Sequence, residues 1–491
     1  MKKSHTALFL LVTVLSQMFS GCSGNETSPE TNEKTQNIIS SEFAEIDEYI
    51  DLLSENKKYD GETFTYVGEN YHAPTQEEEI GSIENDSIYY RQRELEEKLG
   101  ISWTNKITQS SGEGSEASVM IKQEVMAGGH SFDMTAGTLI VEGQDLLLEG
   151  CLVPSERLEN IDLDREWWNS SLRNNYMICD KLYFFSGPIL PKYYMSSYCI
   201  MFDKLLAEQF DLPDLYEEVK SGRWSVDRML ELSSNVPENK DGSGVYRFGN
   251  PNGLAFVFGC GMTVTQFDEN GIPYVKSSLP IEMSDLSGKL AHIMSDNTLS
   301  AHQKRLGSEN YETVEQKFGV KSLRDIFGED KILFYFGNTD DSMKLRETEA
   351  EFGIIPMPKS SESQKNYYSY ADQWCAYVPK CTRDCEMTGT IIEAAAALSM
   401  KHIKPAYYDK ILKGQSAYDM PSREMIDLVF DSTVYDMFDI YTGGTINYWG
   451  DLIHAIDTSI DEDSSSFASS YFVCAKMANR KIKEIIESIG D

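Results

Sequence analysis

Cations are scarce in this chain. Lysine and arginine number 44 against 79 aspartates and glutamates in 491 residues, a formal net charge of −35. So acidic a chain repels nucleic acid phosphates and anionic lipid headgroups, so no nucleic acid partner is expected. The acidity is spread along the chain rather than gathered in one block, which is the pattern of a solvated surface. Histidine is rarer still, seven scattered residues, and no Gly-x-Gly-x-x-Gly, Walker A, His-Glu-x-x-His or Gly-x-Ser-x-Gly pattern occurs. No cofactor, metal or catalytic residue is assigned on this basis. Cys381 and Cys385 have loose metal-ligand spacing, but no second Cys/His pair follows closely. With 79 acidic residues, no one carboxylate pair stands out as catalytic. After Leu15 no apolar run approaches the length of a membrane span, and no internal repeat is visible. What remains is 41% hydrophobic and 11% aromatic, the composition of a globular body long enough for two or three domains.

The N-terminus has its own pattern. Lys2 and Lys3 precede an apolar run over residues 7–15, and small residues lead to Cys22. That order reads as a secretory signal too short to remain as a membrane helix. A cysteine directly after Ser20-Gly21 resembles the bacterial lipobox, with Phe19 where that motif usually has leucine. The resemblance implies removal of residues 1–21 and acylation of Cys22, palmitate included. Residues 22–40 would then tether the body to the extracytoplasmic face of the cell membrane. An ordinary signal peptide with a chance cysteine is the alternative. Residues 23–37 are polar and aperiodic, and as a coil they span roughly 20 Å. The eight cysteines after Cys22 form an even set that permits disulfides outside the cytosol. Their spacing does not decide pairing, and free buried thiols are the preferred reading.

Beyond the tether the periodicity alternates. Residues 41–56 carry apolar positions at helical spacing; 63–67 read as a strand, 87–99 as a helix, 101–106 as a strand and 117–126 as a helix. A short strand over 132–135 and a helix over 141–150 follow. This order predicts a sheet with helices on its faces. Strand-like segments at 181–185, 197–202 and 373–379 flank helices at 204–210 and 225–233. A hairpin is centred on Asn270-Gly271, and two prolines make 351–358 an extended connector. Helices at 388–400, 404–412, 422–430 and 473–489 complete the chain.

Aromatic residues cluster in presumed loops: Trp167-Trp168, Tyr193-Tyr194, Phe334-Tyr335-Phe336, Tyr367-Tyr368, Tyr370 with Trp374, and Tyr448-Trp449. Flat aromatic faces beside hydrogen-bonding side chains suit sugar rings. The competing role is core packing. It is the better reading for Trp167 and Trp168, whereas Trp374 is evenly poised.

Several segments in order carry a family resemblance: GHSFD at 129–133, DKLYFF at 180–185, SGRWSVD at 221–227, FGIIPMPK at 352–359 with QKNYY at 364–368, and KPAYY at 404–408 with SREMIDLVF at 422–430. Together they resemble extracellular solute-binding proteins of the maltose-binding-protein type, the capture subunits of ABC importers. Asp180 stands where that family often has glycine. The resemblance implies a two-lobed, type II α/β fold with hinge crossings and a ligand cleft between the lobes. Lobe one would comprise residues 41–185 and 375–425, lobe two 186–374 and 426–491. Crossings are expected near 185–188, near 369–374 and between 417 and 435. By position along these motifs, the expected ligand residues are Asp133, Thr135, Gly137, Gly187, Asn252, Phe336, Asn338, Tyr370, Asp372, Trp374 and Trp449. The implied function is a monomeric, lipid-anchored receptor, with no chemistry of its own, that delivers a mono- or oligosaccharide to permease subunits. A surface glycoside hydrolase and a receptor for a non-sugar solute are the alternatives.

Overall fold

Strand β1 (Thr63–Glu69) alternates threonine with aromatic and β-branched residues and buries Phe64, Tyr66 and Val67. It runs parallel to β2 (Ser102–Thr108) in register from Thr63↔Ser102 to Glu69↔Thr108. The connection is helix α1 (Ile83–Leu99). Ser82 caps its start by accepting from the Asn85 amide, and Gly100, at φ 68°, closes it in the left-handed region. Its inner face buries Ile88, Leu95 and Leu99, each contributing roughly 1.5–3 kcal/mol of hydrophobic stabilisation. Helix α2 (Glu116–Ala127) repeats the device with Ser115 and Gly128, and returns the chain to β3 (Thr135–Thr138). Tyr66 bridges Met134 in parallel, so β3 continues the sheet beside β1. The third strand thus begins three residues later than the sequence expectation of 132–135.

This computed structural model describes residues 43–55, 59–70, 73–111, 114–240, 244–296, 298–301, 322–416, 419–437 and 464–489. Cys22, the tether at 23–37, Tyr448 and Trp449 lie outside the described residues. Residues 1–51 and 52–491 form separate units; of the first, residues 43–51 are described, and they are helical.

A second sheet has five strands in the order β6-β5-β7-β4-β8. They are β4 (Tyr198–Asp203), β5 (Tyr246–Gly249), β6 (Ser300–Ala301), β7 (Ile332–Asn338) and β8 (Phe352–Ile355). Strands β5, β6 and β7 are mutually parallel, while β4 lies antiparallel between β7 and β8. Here the loop assignment of Phe334-Tyr335-Phe336 is corrected. They are the centre of β7, buried throughout, with Phe336 against Phe248 and Phe256 and Tyr335 against Phe327. A strand covered on both faces is continuously apolar and lacks the alternation that marks a half-buried one. The segment read as an extended connector at 351–358 supplies the edge strand β8. Helices α3 (Val226–Ser233), α4 (Gly253–Gly259), α5 (Ile281–Ser295) and α6 (Thr339–Leu345) belong to this half.

The two sheets meet where the chain passes between them. Phe185 exchanges backbone hydrogen bonds with Ala376 at 3.1 and 2.8 Å, and Ser197 bridges Ala371. Strand β9 (Ser369–Tyr370) leads to β10 (Trp374–Tyr377), which pairs antiparallel with β3 from Trp374↔Thr138 to Tyr377↔Thr135. Strand β11 (Thr433–Val434) lies parallel to β9. The three passages therefore run side by side. Helix α7 (Cys385–Ile403), buried on all sides over Ala394–Ala397, packs against α1, where Arg91 donates to Ser399 Oγ at 3.1 Å, and α8 (Met420–Asp431) packs on β8. Helix α9 (Ser464–Ile489) touches both halves: Asn479 brackets the Val275 backbone at 3.0 and 2.7 Å, and Ser488 Oγ donates to the Leu147 carbonyl at 3.4 Å. The eight cysteines after Cys22 are free thiols, most of them buried. Among the described residues no helix is long and apolar enough to cross a membrane.

Candidate ligand-binding cleft

Strand β3 ends beside the loop that follows β1, and the first residue of β10 lies next to both. Between them and residues 190–195 is a cavity of about 100 Å³. Asn70, Gln76 and Lys192 are its polar walls; Gly137, Trp374 and Tyr407 complete it with a few aliphatic residues. Cavities at the carboxyl ends of strands are where α/β sheets gather ligands. At this volume the cleft is tighter than the ~300 Å³ and above of ordinary ligand pockets, so admitting a sugar ring requires its walls to part.

The backbone around Trp374 is held from several sides. Its amide donates to the Asp372 carbonyl at 3.1 Å, and the amide of Asp372 donates to the Ser196 carbonyl at 3.1 Å. At Gly137, opposite Cys375 in the ladder, a Cβ would stand 2.3 Å from the Glu142 carboxylate, so that side chain would have to shift to admit one. Glu142 accepts from the Thr138 amide at 2.9 Å, and burial pushes its carboxyl up to about 7. Tyr377 Oη donates to the Gly137 carbonyl at 3.1 Å. These contacts fix the cavity floor before any ligand arrives.

A second cluster adjoins it. Asn338 ends β7 and caps α6 in a reciprocal box with Asp341, while its Nδ2 donates to Asp372 Oδ2 at 3.2 Å. Burial pushes the Asp372 carboxyl up to about 6, against the pull of the Asn338 amide; Asp341 and Asp340 add like charge. Tyr370 stacks on Phe258 with centroids 5.2 Å apart and a 16° interplanar angle.

The expected ligand residues therefore fall into groups. Gly137 and Trp374 share the cavity wall, and Asn338 and Asp372 touch each other. Asn252 caps α4 through the Ala255 amide at 2.9 Å. Asp133 is buried and accepts from the Thr65 amide, Thr382 Oγ1 and the Arg383 amide, so its carboxylate holds β1 to the segment before α7. Thr135 and Phe336 are wholly buried, and Gly187 packs so closely that a Cβ would meet the Trp167 carbonyl at 2.3 Å. Trp449 lies outside the described residues. Asn70, Gln76, Lys192 and Tyr407 were not anticipated. The polar stretch directly after the β1 pattern was the available signal, because loops at strand ends carry function.

A larger cleft of about 450 Å³ lies elsewhere, between the hairpin formed by Thr265–Phe267 and Pro273–Val275, helix α5 and Tyr471. Its walls mix Lys276 and Lys289 with Glu282 and Asp285, and Lys289 pairs with Asp227 at 2.6 Å. Its walls carry no tryptophan, so the smaller cavity, which has one, is the better candidate for a sugar despite its size.

No family profile matches the chain, and no curated protein matches its sequence. Solved structures do. The sugar-binding protein MalE of Xanthomonas citri superimposes with a TM-score of 0.54 at 11% identity, over 87% of this chain and 98% of that one. A solute-binding protein of an ABC transporter from Thermotoga lettingae, bound to α-D-tagatose, gives 0.51 at 14%, over 87% and 100%. A cyclo/maltodextrin-binding protein in complex with maltotetraose gives 0.52 at 12%, over 87% and 98%. At such identities the likeness establishes the fold: two α/β lobes about a cleft.

Proposed function

We propose that this chain, which has the fold of the sugar-binding proteins it superimposes on, is the capture subunit of an ABC importer. It binds an extracellular carbohydrate in the cleft walled by Trp374 and passes it to membrane permease subunits without altering it. The observation that carries this reading is the cavity wall: a partly exposed Trp374 beside the side-chain-free Gly137, with the amide residues Asn70 and Gln76 lining the same cavity. An aromatic face takes the C–H face of a pyranose, and amides take its hydroxyl rim. A glycoside hydrolase would need two carboxylates across one gap. Among the described residues, this cavity's walls carry none, and the larger cleft's Glu282 and Asp285 sit one turn apart on a single helix.

A receptor of this fold opens without ligand and closes with it. Calorimetry against a glycan panel should yield at least one saccharide that binds, and that saccharide should shrink the radius of gyration in small-angle scattering. A panel with no binder to the folded protein would overturn the carbohydrate reading. The anchor belongs to the same proposal. Cys22→Ser should release the protein from membranes on fractionation, and unchanged membrane association would rule out acylation there.

A further inference from the structure

A buried cation stands directly behind the cleft. Arg91 lies on α1 three residues after Ile88, which lines the cavity, so the two share a helix face. Arg91 is wholly buried and does not itself line the cavity. Its Nη1 donates to Ser399 Oγ at 3.1 Å and to the Ala395 carbonyl at 3.4 Å, both on α7, and its Nη2 donates to the Pro74 carbonyl. Among the described residues its acceptors are therefore two carbonyls and a hydroxyl. Burial lowers the guanidinium to about 9, so it is still charged at neutral pH.

For stability alone this is a poor arrangement. A buried charge is costly to desolvate, and an apolar side chain of similar length would pack between two helices without that cost. What it would not do is hold Pro74. That residue belongs to the loop after β1, which supplies Asn70, Ala73 and Gln76 to the cavity wall. The next residue is tied as well: Thr75 Oγ1 accepts from Asn105 Nδ2 at 2.6 Å, and Asn105 Oδ1 accepts from Trp103 Nε1 at 3.1 Å. The chain is thus gripped at two consecutive residues immediately before Gln76 takes its place on the wall. From this arrangement we infer that Arg91 is a positioning residue for ligand binding: its guanidinium, braced on α7, holds the Pro74 carbonyl and so sets the loop that presents Asn70 and Gln76. A loop fixed in advance does not have to be ordered at the cost of affinity when a ligand enters. The inference rests on the carbohydrate-receptor reading for what the cleft binds, and on the hydrogen bonds alone for what holds the loop.

The first test needs no ligand. The Ala73 amide donates to the Asn70 carbonyl at 3.2 Å, so its hydrogen exchange reports on the loop. Arg91→Met removes the donors and should speed that exchange by roughly tenfold or more, while the ladder between β1 and β2 keeps its protection. Arg91→Lys keeps the charge, but one ammonium does not span both Pro74 and α7; it should loosen the same amide to a smaller degree, and it serves if the methionine variant fails to fold. Calorimetry then uses glucose, galactose, mannose and their di- and trisaccharides. For a sugar that binds, Arg91→Met should weaken affinity roughly tenfold. In a double-mutant cycle with Gln76→Ala the two losses should fall short of additive, because both act through the same contact. A purely structural arginine would lower the denaturation midpoint and leave the Ala73 exchange and the affinity of the folded protein unchanged. Unchanged exchange, wild-type affinity or fully additive losses would overturn the inference and leave the carbohydrate reading standing. Silence of every sugar would overturn the carbohydrate reading, and the exchange rates would still decide whether Arg91 sets the loop.

Discussion

At Trp167 and Trp168 the indoles are 4% and 5% exposed, and both Nε1 groups donate to one carboxylate, Glu393, at 3.1 and 2.8 Å. At Trp374 the same side chain is partly exposed and stands on the wall of a cavity. In the sequence the first pair stands beside Asn169 and the second site beside Asp372 and Gln373, and both belong to aromatic clusters with hydrogen-bonding neighbours. The difference lies in what the ring had to leave behind. An indole N–H withdrawn from water needs an acceptor, and α7 supplies one in Glu393, itself wholly buried. That pair is committed to joining the segment after residue 160 to α7. Aromatic clustering therefore marks where large rings are, and burial decides whether they serve the core or a ligand.

The comparison breaks most visibly if the pair is deleted. Trp168→Ala should cost about 3–5 kcal/mol of stability, read by chemical denaturation, because it opens a cavity and leaves the buried Glu393 Oε2 with the Asp162 amide at 3.3 Å in place of the shorter indole bond. Protein that still folds should bind its saccharide with wild-type affinity. A weakened affinity at unchanged stability would move Trp168 into the site.

Trp374→Ala should do the reverse. Losing a stacking face and its apolar area removes about 3 kcal/mol of binding, roughly a hundredfold in affinity. The denaturation midpoint should change little. Wild-type affinity with a large loss of stability would make Trp374 a core residue like the other two.

The smallest effect separates the floor of the cleft from its surroundings by pH. Unfolded, Asp372 and Glu142 titrate at their ordinary 3.8 and 4.5; folded, burial holds them at about 6 and about 7. Between those limits the folded protein binds more protons than the unfolded chain, so stability falls as pH rises through the window and levels off above it. The expected loss between pH 5 and pH 8 is about 1–3 kcal/mol, reduced because Asp372 is partly exposed. Glu94 works in the opposite sense outside this range: although burial raises it, His402 and Lys401 hold it down to about 2, so its contribution is lost only in stronger acid. Asp372→Asn with Glu142→Gln should make the profile shallower, leaving the slope due to Asp203 and Asp341, whose carboxyls burial also raises. A wild-type profile that rises from pH 5 to pH 8 would contradict the burial of these two carboxyls.

Much of the fold was legible from local pattern. The hairpin at Asn270-Gly271 forms as expected, with Phe267 opposite Pro273. Helix α2 starts and stops within a residue of its periodicity, because Ser115 and Gly128 are cap residues whose preference is local. Three elements were not legible, each for a stated cause. Strand β7 is apolar on both faces and has no alternation to read. Residues 181–185 look like a strand but contribute bridges at Lys181 and Phe185 alone, with left-handed Cys179 and Asp180 turning the chain before them. Helix α5 carries Gly288 in its middle, which weakens its helical signature. In the site, Trp374 and Gly137 were named from sequence and do share a wall. Lys192 was not, because a lysine in an acidic chain looks like any solvated side chain until its neighbours are known.

The order of elements, the cap residues and the acidic surface follow from short-range chemistry: side-chain period, backbone freedom at glycine, and charge. Those forces act within a few residues and leave their record in spacing. Which groups meet is another matter. Asn338 reaches Asp372 across 34 positions, Glu393 reaches Trp168 across 225, and Gly137 shares a cavity with Trp374 because β10 returns antiparallel to β3. Such meetings depend on strand register and on the three adjacent passages between the sheets, where a shift of one residue would turn Trp374 to the opposite face. Spacing along the chain carries no record of that register, and so the cleft and its lysine emerge only once the chain is folded.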